Sequence, residues 1–392
     1  MSWSLDGEIL GSILVTRLRY LGDIVMSTTV AEVLRDGDPG LDIGYLCEEG
    51  FADVLDNHPH VNRVHRLWSA RRGSDAKARS QAASGRPGSR GTLGMALELR
   101  KVRYDLAVDL FFNPRSAWLL KLAGIPRRIG GTRKWRGRLY THQVLRSDIR
   151  TSGAEFSARA PGGLGEHLCR LAPLMHVESG ETFVDRLLSR FKPGELCPGI
   201  QAPPLGDGAR KGLARLGVDP GCPFLLLAPN ATWTSKEWPE ARWLEFVSLL
   251  SESLEYPMVV LAAPGREAAW GRLAAAIPAG KGGVLNPLPL EEAMAVTAAS
   301  RALVSVDGGL MHTAVAMGVP TLALFGPTDP VIWFPYEDAG PYRVLATAPH
   351  CHPCGLHDCP DFICLPDLEP GVVLDSLVDL LGLSEPLTEV RP

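Results

Sequence analysis

Long apolar runs, a one-signed charge and a disulfide framework are all missing from this 392-residue chain, and each absence removes a class of function. The opening residues, MSWSLDGEILGSILVTRL, carry no basic segment or cleavage site. Their apolar run breaks too early for a membrane span, so a cytoplasmic protein is expected. Eight cysteines are too few for a secreted disulfide scaffold in a chain of this length. Nucleic acid is excluded as a partner because no DNA- or RNA-binding motif appears and the basic stretches lack the interleaved aromatics of a stacking platform.

What is present is an ordinary globular composition, with 45% hydrophobic and 21% charged residues, in a chain too long for one core. Strand-like segments alternate with helical ones in both halves. SILVTRL, LDIGYLC and YDLAVDLF in the first half, and PFLLLAP, PMVVLAAP, ALVSVD and TLALFG in the second, read as buried parallel strands. Between them, FKPGELCPGIQAPPLGDG is rich in Pro and Gly and reads as a linker. The expectation is an α/β protein of two doubly wound domains facing across a cleft, residues 1–200 and 201–392, with residues 69–92 a mobile loop.

Charge divides the halves. Residues 1–150 hold 24 Lys and Arg against 16 Asp and Glu, and residues 66–138 hold 18 against 4. This segment is either a solvated face with a flexible loop or a surface for an anionic partner.

Doubly wound domains bind ligands at the carboxyl ends of their strands, and three polar groupings stand there. In VTRLRYLGDIVMSTTV, Asp23 follows a Gly where the first strand turns into a helix; its carboxylate can take a proton from a hydroxyl, or simply favour the helix dipole. In LLLAPNATWTSKEWP, Asn230, Thr232, Thr234, Ser235 and Lys236 suit a diphosphate, although Thr234 or Ser235 could merely cap the next helix. In VSVDGGLMHTAVAMGVPTLALFGPTDP, Asp307, Gly308 and Gly309 form a tight strand-to-helix turn whose helix start offers N–H groups to an anion. Asp36-Gly37-Asp38 matches an Asp-x-Asp metal triplet but reads as a helix end and turn.

Taken together, RLRYLGDIVMSTTV, NATWTSKEWP and SVDGGLMHTAVAMGVPTLALFGPTDP resemble glycosyltransferase family 9, the ADP-heptose:lipopolysaccharide heptosyltransferases, over nearly the whole chain. The resemblance implies a GT-B fold, with the acceptor held mainly by the first domain and the nucleotide-sugar donor mainly by the second. It implies an inverting, metal-independent transfer of heptose to a lipopolysaccharide core sugar or related glycan, with no cofactor. Asp23 falls on the family's general base and Lys236 on its phosphate-binding lysine, with Thr232, Thr234 and Ser235 beside it. Asp307, Gly308, Gly309 and His312 fall on its donor motif, and Glu267 more loosely on a ribose-binding Glu. Gly308 departs from the usual Ser or Thr, which removes one hydroxyl. An anionic glycolipid acceptor would give the basic half a use: attraction to the inner leaflet as a peripheral protein. Two alternatives are a GT-B nucleotide-sugar epimerase, disfavoured by the Gly-Asp turn and the basic domain, and a noncatalytic paralogue, disfavoured by the presence of Asp23 and Lys236.

Last, CHPCGLHDCPDFICLPD places Cys351, Cys354, Cys359 and Cys364 close together. The expectation is a Pro-rich loop with partly buried thiols; a structural zinc on the four thiols is the alternative.

Overall fold

The computed structural model describes residues 2–68, 90–132, 134–144, 164–175, 185 and 197–383. The expected loop at 69–92 lies outside the described residues as far as 89, as do Arg133 and the first part of the linker, 191–196. The chain forms two compact units, Met1–Gln201 and Ala202–Pro392.

The first unit opens with a short antiparallel pair, β1 (Ser4–Leu5) and β2 (Glu8–Ile9). Its main sheet contains β3 (Ser12–Thr16), β4 (Asp42–Glu48), β5 (Arg63–Leu67), β6 (Leu106–Asp109), β7 (Arg127–Gly131) and β8 (His142–Val144). All pairings are parallel, in the order β5-β4-β3-β6-β7-β8. The second unit repeats the plan with β9 (Leu225–Ala228), β10 (Met258–Leu261), β11 (Gly282–Leu285), β12 (Ala302–Val306), β13 (Thr321–Phe325) and β14 (Tyr342–Ala346). Its parallel order is β11-β10-β9-β12-β13-β14. In both sheets the third strand lies at one edge and the chain then crosses back over the first, the doubly wound order with a switch point beside the first strand.

The apolar runs become strands because both sheet faces are covered. Leu225 and Leu227 of β9 pack with Trp238, Trp243 and Phe246 on one side, whereas Leu226 and Ala228 pack with Phe224 and Leu303 on the other. Each Leu so buried contributes roughly 1.5–3 kcal/mol of transfer free energy. In the first unit, Leu14 and Leu46 meet Met95, Leu99, Leu119 and Leu120 from helices Thr92–Val102 and Pro114–Leu122. Among the described residues no helix is long and apolar enough to cross a membrane.

One polar cluster sits away from the switch points. Thr28, Glu32, His58, His60 and Cys197 line a cavity of about 240 Å³. Burial, helped by nearby Asp36, pushes the Glu32 carboxyl from 4.5 up to about 7, and burial pushes the His58 imidazole down to about 4. A carboxyl raised on folding stabilises the fold fully below its unfolded value; that contribution is lost as pH climbs through about 7. Glu32→Gln is therefore expected to melt higher than the natural protein at pH 8, by about 2–4 °C per kcal/mol regained. The gap should close near pH 4.5, and melting curves across that range check it.

Candidate functional site

In the second unit, the loops after β9, β12 and β13 converge at the switch point. β12 pairs with both β9 and β13, so Asp307, one residue beyond β12, meets groups from both neighbours. Lys236 Nζ lies 2.6 Å from Asp307 Oδ2, and Thr328 Oγ1 donates to the same oxygen at 2.5 Å. All three residues are buried, so salt screens the pair less than it would a surface one. The ammonium also stands 4.3 Å from the centre of the Trp233 ring, and that ring stacks on His357 with centroids 3.6 Å apart. Lys236 is thus held between an anion and a π face.

Beside this cation begins the helix Gly309–Ala316, with Gly308 as its extended N-cap and no side-chain cap hydrogen bond. Its first N–H groups remain for an anion. A Cβ at Gly308 would stand 3.4 Å from the Asn230 carbonyl, an ordinary contact. Packing therefore does not force the glycine found there. His312, one turn along, is buried with Nδ1 3.0 Å from Tyr336 Oη.

The other expected donor-site residues divide. Thr232 and Thr234 are exposed at the strand end. Ser235 is buried and donates to the Leu356 carbonyl at 2.8 Å. It caps no helix, since the next one, Glu240–Ser253, starts after Pro239 without a side-chain cap. Asn230 Oδ1 accepts from Ala263 N–H at 2.9 Å and from Trp270 Nε1 at 3.2 Å, so its amide braces the β9 and β10 loops. Glu267 opens a short turn and accepts from Gly265 N–H at 2.7 Å.

In the first unit, Asp23 lies in the first turn of helix Leu21–Met26, just past β3. Arg17 Nη2 holds its Oδ1 at 2.7 Å, while Arg17 Nη1 donates to the Leu110 carbonyl beyond β6 at 2.8 Å. Arg17 thus spans the switch point and fixes the carboxylate. Among the described residues the other oxygen, Oδ2, has one long contact, 3.4 Å from Tyr20 N–H. Nearby His167 is buried, its Nδ1 meets no partner among the described residues, and burial and Arg17 push it down to about 3.

The cysteine loop lies against the Lys236 and Thr328 loops. His352 Nδ1 is 3.1 Å from the Gly326 carbonyl and Gly355 N–H donates to Pro327 at 2.8 Å. At Gly326 a Cβ would fall 2.9 Å from Leu365 and 3.0 Å from the Ser235 carbonyl, which is why glycine stands there. Cys351 is exposed, Cys354 and Cys359 half-buried and Cys364 buried, all as free thiols. Among the described residues no three His, Cys, Asp or Glu side chains group to hold a metal ion.

No sequence motif assigned a role to Arg17 or Trp233, and Thr328 and His357 entered only as members of the strand-end and cysteine segments. Arg17 carried a local signal as the polar residue directly after β3, and Thr328 a weaker one, three residues beyond the end of β13.

Residues 207–356 match the model of glycosyltransferase family 9 (heptosyltransferase). Lipopolysaccharide heptosyltransferase 1 of Pseudomonas aeruginosa is 30% identical over 330 residues, covering 81% of this chain and 79% of that one. The chain belongs to glycosyltransferase family 9. Lipopolysaccharide heptosyltransferase 1 of Escherichia coli is 26% identical, over 81% of this chain and 88% of its own. Among solved structures, E. coli ADP-heptose lps heptosyltransferase II superposes with a TM-score of 0.69 at 22% identity, covering 94% and 98% of the two chains. The family 9 glycosyltransferase of Veillonella parvula gives 0.71 at 19%, covering 95% and 98%. The family 9 protein is a glycosyltransferase with the GT-B fold.

Proposed function

We propose that this glycosyltransferase moves a heptose from ADP-heptose, with inversion and without a metal, to a sugar hydroxyl of an anionic lipopolysaccharide core or related glycan. The unit Ala202–Pro392 would hold the donor and Met1–Gln201 the acceptor. The observation that carries the reading is the buried Lys236 ammonium beside the uncapped start of helix Gly309–Ala316. A fixed cation and N–H groups together can take up the charge that develops on a departing diphosphate, the task a metal performs elsewhere. The names of the family 9 relatives, lipopolysaccharide heptosyltransferases, support the sugar and acceptor class.

In the proposed step the acceptor oxygen bonds to the anomeric carbon as the bond from that carbon to the diphosphate oxygen breaks. The hydroxyl proton passes to Asp23 Oδ2, the oxygen Arg17 leaves open. Attack from the face opposite the leaving group inverts the anomeric centre. Thr232, Thr234, Ser235, Glu267, Asp307, Gly309 and His312 would line the donor. The basic balance of residues 1–150 would draw the acceptor unit to an anionic inner leaflet, where a glycolipid acceptor resides.

The test is purified protein with ADP-heptose and a deacylated core acceptor in excess EDTA. The expected result is ADP release matched one to one by an acceptor heavier by a heptose, at a rate EDTA does not change. A requirement for Mg²⁺ or Mn²⁺ would overturn the metal-independent step, and transfer only from another nucleotide-sugar would overturn the donor. Conversion of the donor without any acceptor would favour an epimerase.

A further inference from the structure

Of the thirteen large apolar side chains exposed among the described residues, five lie on three adjacent segments of the first unit. Scattered exposed apolar groups need no explanation, but a cluster does. Helix Pro114–Leu122 buries Ser116, Ala117, Leu119 and Leu120 and turns Trp118, 44% exposed, and Leu122, 53% exposed, outward one turn apart. Helix Thr92–Val102 buries Met95, Ala96 and Leu99 and leaves Leu93 at 70% and Leu97 at 54%, again one turn apart. The two helices are tied at their starts, where Arg115 Nε donates to Thr92 Oγ1 at 3.1 Å. Trp135, from the short turn Lys134–Leu139, is 52% exposed, its ring centred 6.1 Å from that of Trp118. An outward helix face is ordinarily polar throughout; these two set leucines and a tryptophan among their cations.

The cations around this patch identify what covers it. Arg100, Lys101, Lys121 and Arg138 are exposed on the same three segments, with Lys121 Nζ 5.8 Å from the Trp118 ring. Residues 90–140 hold twelve Lys and Arg against three acidic residues, and all three acids have partners within the unit. Asp109 is buried, Asp105 accepts from Gly11 and Ser12 N–H, and Glu98 meets His65 at 2.6 Å. A second copy docking through the same face would set cation against cation, a cost that self-association has to overcome. An anionic bilayer instead offers phosphate to the cations, acyl chains to the leucines and a headgroup layer where indole rings settle.

We propose that the outer face of helices Thr92–Val102 and Pro114–Leu122, with Trp135, docks on an anionic bilayer by inserting Trp118, Trp135 and the flanking leucines into its interface. The inference builds on the electrostatic attraction proposed above and adds an apolar component that salt does not screen. It requires neither donor nor acceptor.

The test is co-sedimentation of the full chain with vesicles of phosphatidylcholine and phosphatidylglycerol at 3:1, in 0.1 M and 0.5 M NaCl. The intact protein should bind at low salt, weaken at high salt and keep a residual bound fraction. Trp118→Ala with Trp135→Ala should lower the partition coefficient at 0.5 M NaCl by about tenfold or more, and Phe at both positions should restore most of it. Melting temperature and turnover on the deacylated acceptor should not change, since neither residue belongs to the proposed site. Salt-sensitive binding that the Ala pair leaves unchanged would overturn insertion while sparing the electrostatic attraction, and no binding at 0.1 M would overturn both. A dimer in solution that the Ala pair dissociates would assign the face to a second copy instead.

Discussion

Asp23→Ala is expected to cut turnover by about 10²–10⁴-fold, the range of a lost general base, while the affinity for donor stays close to that of the natural enzyme. Two features of the first unit set this expectation. Arg17 takes one carboxylate oxygen at 2.7 Å, whereas the other is met among the described residues only by a 3.4 Å contact from Tyr20 N–H. A base needs an accessible lone pair and a fixed direction, and this arrangement supplies both. The competing view makes Asp23 a first-turn acid that favours the helix dipole, worth roughly 0.3–1 kcal/mol. Asp23→Asn separates the two, because the amide keeps the shape and its one oxygen can still accept from Arg17 but takes no proton at neutral pH. Asn should fail nearly as badly as Ala in kcat while melting no lower than Ala does, since both leave Arg17 without its anion. An Asn variant within a few-fold of normal turnover would remove Asp23 from the chemistry.

The strands were legible because burial on both faces leaves little room for polar residues, as in Leu225–Ala228 and Thr321–Phe325. The candidate site was legible at the level of single residues for a related reason. A polar residue directly after such a run stands at the carboxyl end of a strand, as Asp307 does, and Asp23 follows a Gly at the start of the helix after β3. Partner choice was not legible. Asp307 meets Lys236 and Thr328 only because β12 lies between β9 and β13, and no residue spacing encodes that reversal of order. The Trp233–His357 stack depends on where the cysteine loop folds back. Asn230 shows the opposite difficulty: a strand-end amide looks the same in sequence whether it faces a ligand or, as here, ties two loops together through Ala263 and Trp270.

Lys236→Ala should weaken binding of ADP by about 10–150-fold, the equivalent of one charge-assisted hydrogen bond of roughly 1.5–3 kcal/mol. It should also destabilise the second unit, because the Asp307 carboxylate would stay buried with the Thr328 hydroxyl as its remaining side-chain partner among the described residues. Breaking one side of a buried ion pair costs about 3–5 kcal/mol; the Thr328 hydroxyl and the slight exposure of the pair, 11% and 5% for the two side chains, argue for the lower end. Loss of affinity could then be a consequence of a loosened fold, so the two effects have to be separated. Lys236→Met combined with Asp307→Asn removes both charges at similar volume, and such replacements often leave stability near its starting value. Titration calorimetry with ADP, alongside melting curves, then decides the role of the lysine. If the double variant regains stability but not affinity, the ammonium acts on the diphosphate directly. If stability and affinity return together, Lys236 only neutralises Asp307, and the leaving group must be stabilised by the N–H groups at the start of helix Gly309–Ala316 alone.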